Sequence, residues 1–306
     1  MTNTKQTGRA LLCLAGAVLM WGTSFAVTKS AYAVLSPMVV VWLRMIAGLI
    51  AFLPLFFFVK RPQYRHGDWK RLGLSMLFLP CLYFALEGFA LKFTSSNQAG
   101  VISAIMPLTV VVIAWVFLHD RPQARTVAAA VVSVIGVVVL STTGNSQLSA
   151  PNPLLGNLLE LGAMLAAAGA TLTIKNLTTR YDPLLLAGLQ MASGSIFFTP
   201  LAIASGPVEW ATIPATAWLS VVYLGVGCGF AAFWMYNSGL RRLPASRAAL
   251  AINVIPAVAL LTGWLALKET MSIPQILACT LIIGAVVYAQ WPGSEVDDQM
   301  ETSGSN

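Results

Sequence analysis

Charge is what this chain has least of. Of its 306 residues only 9% are charged, 18 basic and 11 acidic, where a soluble domain carries roughly 25%. So little charge cannot cover a water-facing surface of this size, and lipid must face most of it. Histidine is nearly missing. His66 and His119 fall in loops or helix ends, which excludes a histidine relay within the membrane. The four cysteines (Cys13, Cys81, Cys228 and Cys279) lie in apolar runs, with neither a disulfide framework nor metal-ligand spacing. They read as apolar filler. No phosphate-cradling Gly-Lys-Ser/Thr loop occurs, so ATP cannot drive this chain by itself. No group of acids and histidines has catalytic spacing. The expectation is a protein that is not an enzyme and uses no cofactor and no metal. A net charge of +7 could suggest nucleic acid. The basic residues, however, sit in short loops between apolar runs, as membrane topology requires, and no nucleic-acid partner is expected.

Apolar sequence is what the chain has most of, 57% by residue, with a mean hydropathy of +0.76. A spanning helix needs about 20 mostly apolar residues. Ten such runs are expected, at 9–28, 36–59, 72–91, 98–118, 124–141, 155–175, 184–204, 215–238, 246–267 and 273–290. Lys5 and Arg9 ahead of an apolar run resemble a signal peptide. The run continues past Trp21, so it is read as a retained first helix. One set of alternate connections holds Lys5, Arg9, Lys60, Arg61, Arg65, Lys70, Arg71, Arg121, Arg125, Lys175, Arg180, Arg241, Arg242 and Arg247. The opposite set holds only Lys29, Lys92 and Lys268. Positive charge stays cytoplasmic, so a multi-pass protein of the cell (inner) membrane with both termini in the cytoplasm is expected. The acidic segment 291–306 reads as a disordered cytoplasmic tail.

The two halves match each other. At an offset of 146, Gly16 meets Gly162, Lys29 meets Lys175, Pro37 meets Pro183, Gly48 meets Gly194 and Pro54 meets Pro200. At an offset of 149, Phe84 meets Phe233, Leu91 meets Leu240, Pro107 meets Pro256, Trp115 meets Trp264 and Asp120 meets Glu269. Each repeat spans five helices, at 9–141 and 155–290. Five is odd, so the second repeat enters the membrane from the opposite side. The expected fold class is all-α, a polytopic membrane protein of two inverted five-helix repeats. Inverted repeats recur in secondary transporters, where exchanging the conformations of the halves turns inward-open into outward-open.

Further signals carry a resemblance. They are Trp21-Gly22 with Phe25; Pro37 with Arg44; Leu91-Lys92-Phe93-Thr94-Ser95 with Gln98-Ala99-Gly100; and Met106-Pro107-Leu108. The second half has Leu240-Arg241-Arg242-Leu243-Pro244-Ala245, Ile255-Pro256 and Leu267-Lys268-Glu269-Thr270. Their order and repetition resemble the drug/metabolite transporter superfamily in its EamA branch. The branch usually has glycine before the acid that ends helices 4 and 9, where this chain has His119 and Lys268. The resemblance implies export or exchange of amino acids and related metabolites.

Ionisable groups at membrane depth are functional candidates by default. Arg44, Glu87 and Glu160 lie at similar depth, and Arg44 is expected to pair with Glu87 or to bind a substrate carboxylate. Where the repeat breaks its own pattern, an asymmetric solute can find an asymmetric site. Arg44 meets Gln190, Trp21 meets Ala167, and Glu87 meets Tyr236. Tyr83 shares a helix face with Glu87, and Trp234 lies near Asn237. The expected substrate-binding set is Arg44, Trp21, Tyr83, Glu87, Gln190, Trp234, Asn237 and Asn253. Glu87 and Glu160 are the proton-coupling candidates, and Pro107 and Pro256 are expected to break helices 4 and 9 as gating elements. The expected function is a secondary transporter exporting amino acids or similar amphipathic metabolites by alternating access. The alternatives are a facilitative uniporter of another metabolite and a flippase of lipid or lipid-linked sugar. Its partners are a small-molecule substrate and membrane lipid, and the chain works as a monomer or homodimer.

Overall fold

The computed structural model describes residues 2–118, 124–142, 150–175, 177–242 and 252–289. His119, Asp120, Arg121, Arg247 and the acidic tail lie outside them. The regular elements of the described residues are helical. They are α1 (Thr2–Tyr32), α2 (Pro37–Phe58), α3 (Asp68–Phe93), α4 (Ser96–Ile102 and Met106–Leu118) and α5 (Ala124–Thr142). After these come α6 (Pro153–Lys175), α7 (Pro183–Ala204), α8 (Ala215–Arg242), α9 (Ile255–Leu267) and α10 (Ile273–Ala289).

Seven of these stretches are long and apolar enough to cross a membrane, and three more apolar helices are shorter, at Ala124–Leu140, Ile255–Leu267 and Ile273–Tyr288. Their starts follow from local chemistry. Pro37 and Pro183 stand at the first helical turn, where a missing N–H costs nothing. The Asp182 carboxylate accepts from the Leu184 amide (3.0 Å), and the Ser95 hydroxyl caps α4 by accepting from the Gln98 amide (3.2 Å).

Several helices are interrupted. The single run expected at 98–118 is broken by a tighter turn at Ser103–Ile105, immediately before Pro107. On α9 a turn at 253–254 precedes Pro256 and separates the helical residue Ile252 from the helix that begins at Ile255. The run expected at 72–91 lies within α3, which is interrupted inside. Leu79 has extended backbone (φ −141°, ψ 115°) ahead of Pro80, whose ring and missing N–H do not fit a regular helix.

Packing is set by small residues. At Gly225 a side-chain carbon would lie 2.4 Å from the Arg44 carbonyl oxygen, so α2 and α8 approach backbone to backbone. The neighbours form a regular pattern. Helix α1 packs on α8 and α9, while α6 packs on α3 and α4; α2 pairs with α7, α4 with α9 and α5 with α10. Exchanging the first five helices for the second five leaves this pattern unchanged.

Candidate functional site

A cavity of about 90 Å³ lies where the helices meet. Its lining pairs up at the sequence offsets noted above. Trp21 and Ala167, Ser24 and Ala170, Phe25 and Thr171, Arg44 and Gln190 all line it, as do Phe84 and Phe233, Glu87 and Tyr236, Ser103 and Ile252, Met106 and Ile255. Both halves therefore contribute corresponding positions, with different chemistry at most of them.

Arg44 and Glu87 form the charged pole. Both are buried, and the Arg44 Nη1 lies 3.6 Å from Glu87 Oε2. The Tyr83 hydroxyl donates to Glu87 Oε1 at 2.6 Å. The Arg44 guanidinium sits 4.3 Å above the centre of the Phe84 ring, a cation–π contact that strengthens away from water. The other pole is neutral. Asn237 Nδ2 donates to Gln190 Oε1 across a long 3.4 Å.

Between the poles runs an aromatic wall. Tyr83 and Phe84 meet edge to face at 4.8 Å, and Phe84 reaches Phe233 at 6.2 Å. Trp21 lies 5.3 Å from Phe233 and 5.1 Å from Tyr236. The Trp21 indole is oriented by donating to the Cys228 carbonyl at 3.0 Å.

Of the residues expected to bind substrate, the cavity brings together Trp21, Arg44, Tyr83, Glu87, Gln190 and Asn237. Trp234 is not among its lining; its side chain is 44% exposed on the outer surface of α8. Asn253 is half-buried in the turn before α9, between the lining residues Ile252 and Ile255. Glu160 is fully buried one turn before the lining residue Met164. Pro107 and Pro256 each follow a lining residue, Met106 and Ile255.

The two ends of the bundle are held differently. At the charge-poor end, Glu269 spans from the α9–α10 turn to the start of α4. Its carboxylate accepts from the Ser96 amide (3.0 Å), the Ser96 hydroxyl (2.8 Å) and the Asn97 amide (3.0 Å). A carboxylate on the free N–H groups of a helix start is a favourable, charge-assisted contact. Lys268 makes the turn that delivers it, with left-handed backbone (φ 54°, ψ 29°). Glycine enters that region freely and lysine does not. Beside the clasp, the Thr94 hydroxyl donates to Asn157 Oδ1 (2.7 Å), and Asn157 Nδ2 donates to Gln98 Oε1 (2.8 Å), all buried. Lys29 Nζ donates to the carbonyls of Leu91, at 3.0 Å, and Thr94.

At the basic end, Arg180 forks onto Asp68, with Nη1 to Oδ2 at 2.5 Å and Nη2 to Oδ1 at 2.8 Å. The Tyr181 hydroxyl also donates to Asp68, at 3.1 Å. The hydrogen bond to Asp68 holds the Arg180 guanidinium above its ordinary value. Burial, helped by the same carboxylate, raises the Tyr181 phenol. Lys175 Nζ donates to the Leu240 carbonyl at 2.5 Å, the same bond that the matching residues Lys29 and Leu91 make at the other end.

The Glu269 clasp, Phe84 and Pro80 were not among the expected site residues. The alignment of Glu269 with Asp120 and the match of Phe84 to Phe233 were the available signals.

Comparison with known proteins follows the same division. The EamA-like transporter family matches twice, over residues 8–142 and 154–289. The uncharacterized transporter YetK of Bacillus subtilis is 24% identical over 92% of this chain and 86% of its own length. An uncharacterized transporter of Archaeoglobus fulgidus is 26% identical over 89% of this chain and 95% of its own length. Protein PecM of Dickeya dadantii is 24% identical over 89% of each chain. A crystal structure of a protein 22% identical in sequence superimposes with a TM-score of 0.66, over 95% of this chain and 98% of the other. At that identity the likeness establishes a shared fold.

Proposed function

This chain belongs to the EamA-like transporter family, and on that premise we propose that it is a secondary transporter exporting amino acids or related small amphipathic metabolites by alternating access. The observation that carries the reading is the cavity itself. A buried Arg44–Glu87 pair stands at one pole and the Gln190–Asn237 amides at the other, and six aromatic rings share the lining. A zwitterion can set its carboxylate beside the Arg44 guanidinium and its ammonium against a buried carboxylate of the same cluster. An apolar or aromatic side chain fits the ring wall.

The basic end is read as cytoplasmic, with both termini there, in the inner membrane. The lining reaches toward that end as far as Ile174 and Asn237, while Glu269 and the Thr94–Gln98–Asn157 network tie the charge-poor end together. We read this arrangement as the inward-facing state of an exporter. Alternation would release Glu269 from α4 as the halves exchange conformation, with the breaks before Pro107 and Pro256 absorbing the bend. The chain performs no covalent chemistry in this reading.

Uptake of a labelled amino-acid panel into proteoliposomes, with and without an imposed pH gradient, tests it. Saturable uptake of one class is expected. Folded protein that moves no member of the panel would refute amino acids as the substrate class.

A further inference from the structure

Two carboxylates are buried at similar depth, and their surroundings differ. Glu87 on α3 has a cation at 3.6 Å and a hydroxyl donor at 2.6 Å. Glu160 on α6 is 0% exposed, and neither of its oxygens meets a hydrogen-bond partner among the described residues. Two more buried atoms there are unmatched in the same way, the Tyr32 hydroxyl on α1 and the Arg44 Nε on α2.

The ionisable groups that act on Glu160 are Glu87 and Tyr83 on α3 and Tyr32 on α1. Arg44 of α2 stands behind Glu87. Of the other helices packed on α6, α4 carries no ionisable side chain over 96–118, and the one on α5, Arg125, lies over the Tyr288 ring (5.3 Å) at the basic end. One arginine therefore serves two carboxylates. With both ionised the cluster would hold a buried net negative charge, and one carboxylate would have no donor at all. Burying an unmatched carboxylate costs several kcal/mol or more, and a carboxyl group avoids that cost by keeping its proton. Buried polar atoms left unmatched together are also unusual in a finished structure.

We propose that Glu160 is the proton-carrying residue of this transporter, and that Glu87 is the fixed counter-ion of Arg44. The proposal rests on the transport reading above and divides between two carboxylates a role either could fill from sequence. In the state described, the Glu160 carboxyl holds a proton. Breaking that O–H bond sends the proton to water on the cytoplasmic side and leaves a carboxylate, whose charge the ammonium of an amphipathic solute can then neutralise. On the opposite side a new proton binds the carboxylate and the ammonium is released. One proton enters for each ammonium that leaves.

Infrared spectroscopy of the purified full-length protein tests this without knowledge of the substrate. It is done at neutral pH in a detergent without ester groups, on samples shown to be monodisperse. The wild type should show the carbonyl band of a protonated carboxylic acid, and Glu160→Gln should lose it. Absence of the band from the wild type, or its survival in Glu160→Gln, would overturn the proposal and leave the transport reading standing. In proteoliposomes loaded against the amino-acid panel, Glu160→Gln should lose the stimulation that a pH gradient gives the wild type; stimulation equal to wild type would also overturn it. A panel that is not transported at all refutes the substrate class, and the infrared band still decides the role of Glu160.

Discussion

The first and second halves of this chain build the same pattern of helix neighbours and then use it differently. At matched cavity positions the first half presents Trp21, Ser24, Arg44, Glu87 and Ser103, and the second presents Ala167, Ala170, Gln190, Tyr236 and Ile252. Charge lies on one side only, at Arg44 and Glu87, and the matching positions Gln190 and Tyr236 are neutral. Where the halves agree, at Phe84 and Phe233, the two rings touch each other. Both rings also line the cavity, and the positions where the halves differ give it an asymmetric surface. The ends differ in the same spirit. One is closed by a carboxylate on a helix start, the other tied by an arginine fork.

The difference can be broken directly. Glu87→Leu leaves Arg44 buried without a carboxylate, which costs about 3–5 kcal/mol. The matched change in the second half, Tyr236→Phe, removes one hydroxyl and costs about 1 kcal/mol. Thermal unfolding in detergent should show a large drop for the first and a small one for the second. Equal drops would mean that the charged pole is no more built-in than the neutral one.

A second contrast concerns the ends. Glu269→Gln removes the charge from three donor contacts, each worth about 1.5–3 kcal/mol when charge-assisted. It should open the charge-poor end more often. A cysteine placed at Ser24, with the native cysteines replaced by alanine, should then react several-fold faster with an impermeant maleimide added from that side. Asp68→Asn, at the basic end, should not raise this rate.

The smallest effect belongs to Lys268. Its left-handed backbone costs about 1–2 kcal/mol, part of which glycine's freedom in the unfolded chain offsets. Lys268→Gly should raise the unfolding midpoint slightly, by a gain of about 0.5–1 kcal/mol. A loss would mean that the lysine side chain does more for the turn than its backbone costs.

Much of this was legible in the sequence, for physical reasons. Scarce charge made the helical stretches readable, because lipid tolerates only long apolar runs. Arg44, Glu87 and Gln190 stood out because they break an internal match, and the cavity holds all three. Other features depend on contacts that no local pattern encodes. Ser96 and Glu269 are 173 residues apart, and their meeting comes from the packing of α9 on α4. Trp234 shares an aromatic-rich stretch of α8 with Phe233 and Tyr236, and periodicity there did not separate the ring that faces outward from those that face the cavity. The break at Leu79 needed only Pro80 as its signal, and the apolar length of the run concealed it.

The most direct test of the account is to measure uptake of the labelled amino-acid panel by wild type and Arg44→Gln in parallel proteoliposomes. This variant gives the first half the residue its match carries in the second. The account expects saturable uptake by the wild type and a loss of roughly 10–100-fold in the variant, the worth of a charged hydrogen-bonding contact. Equal uptake by both proteins, or none by folded wild type, would contradict it.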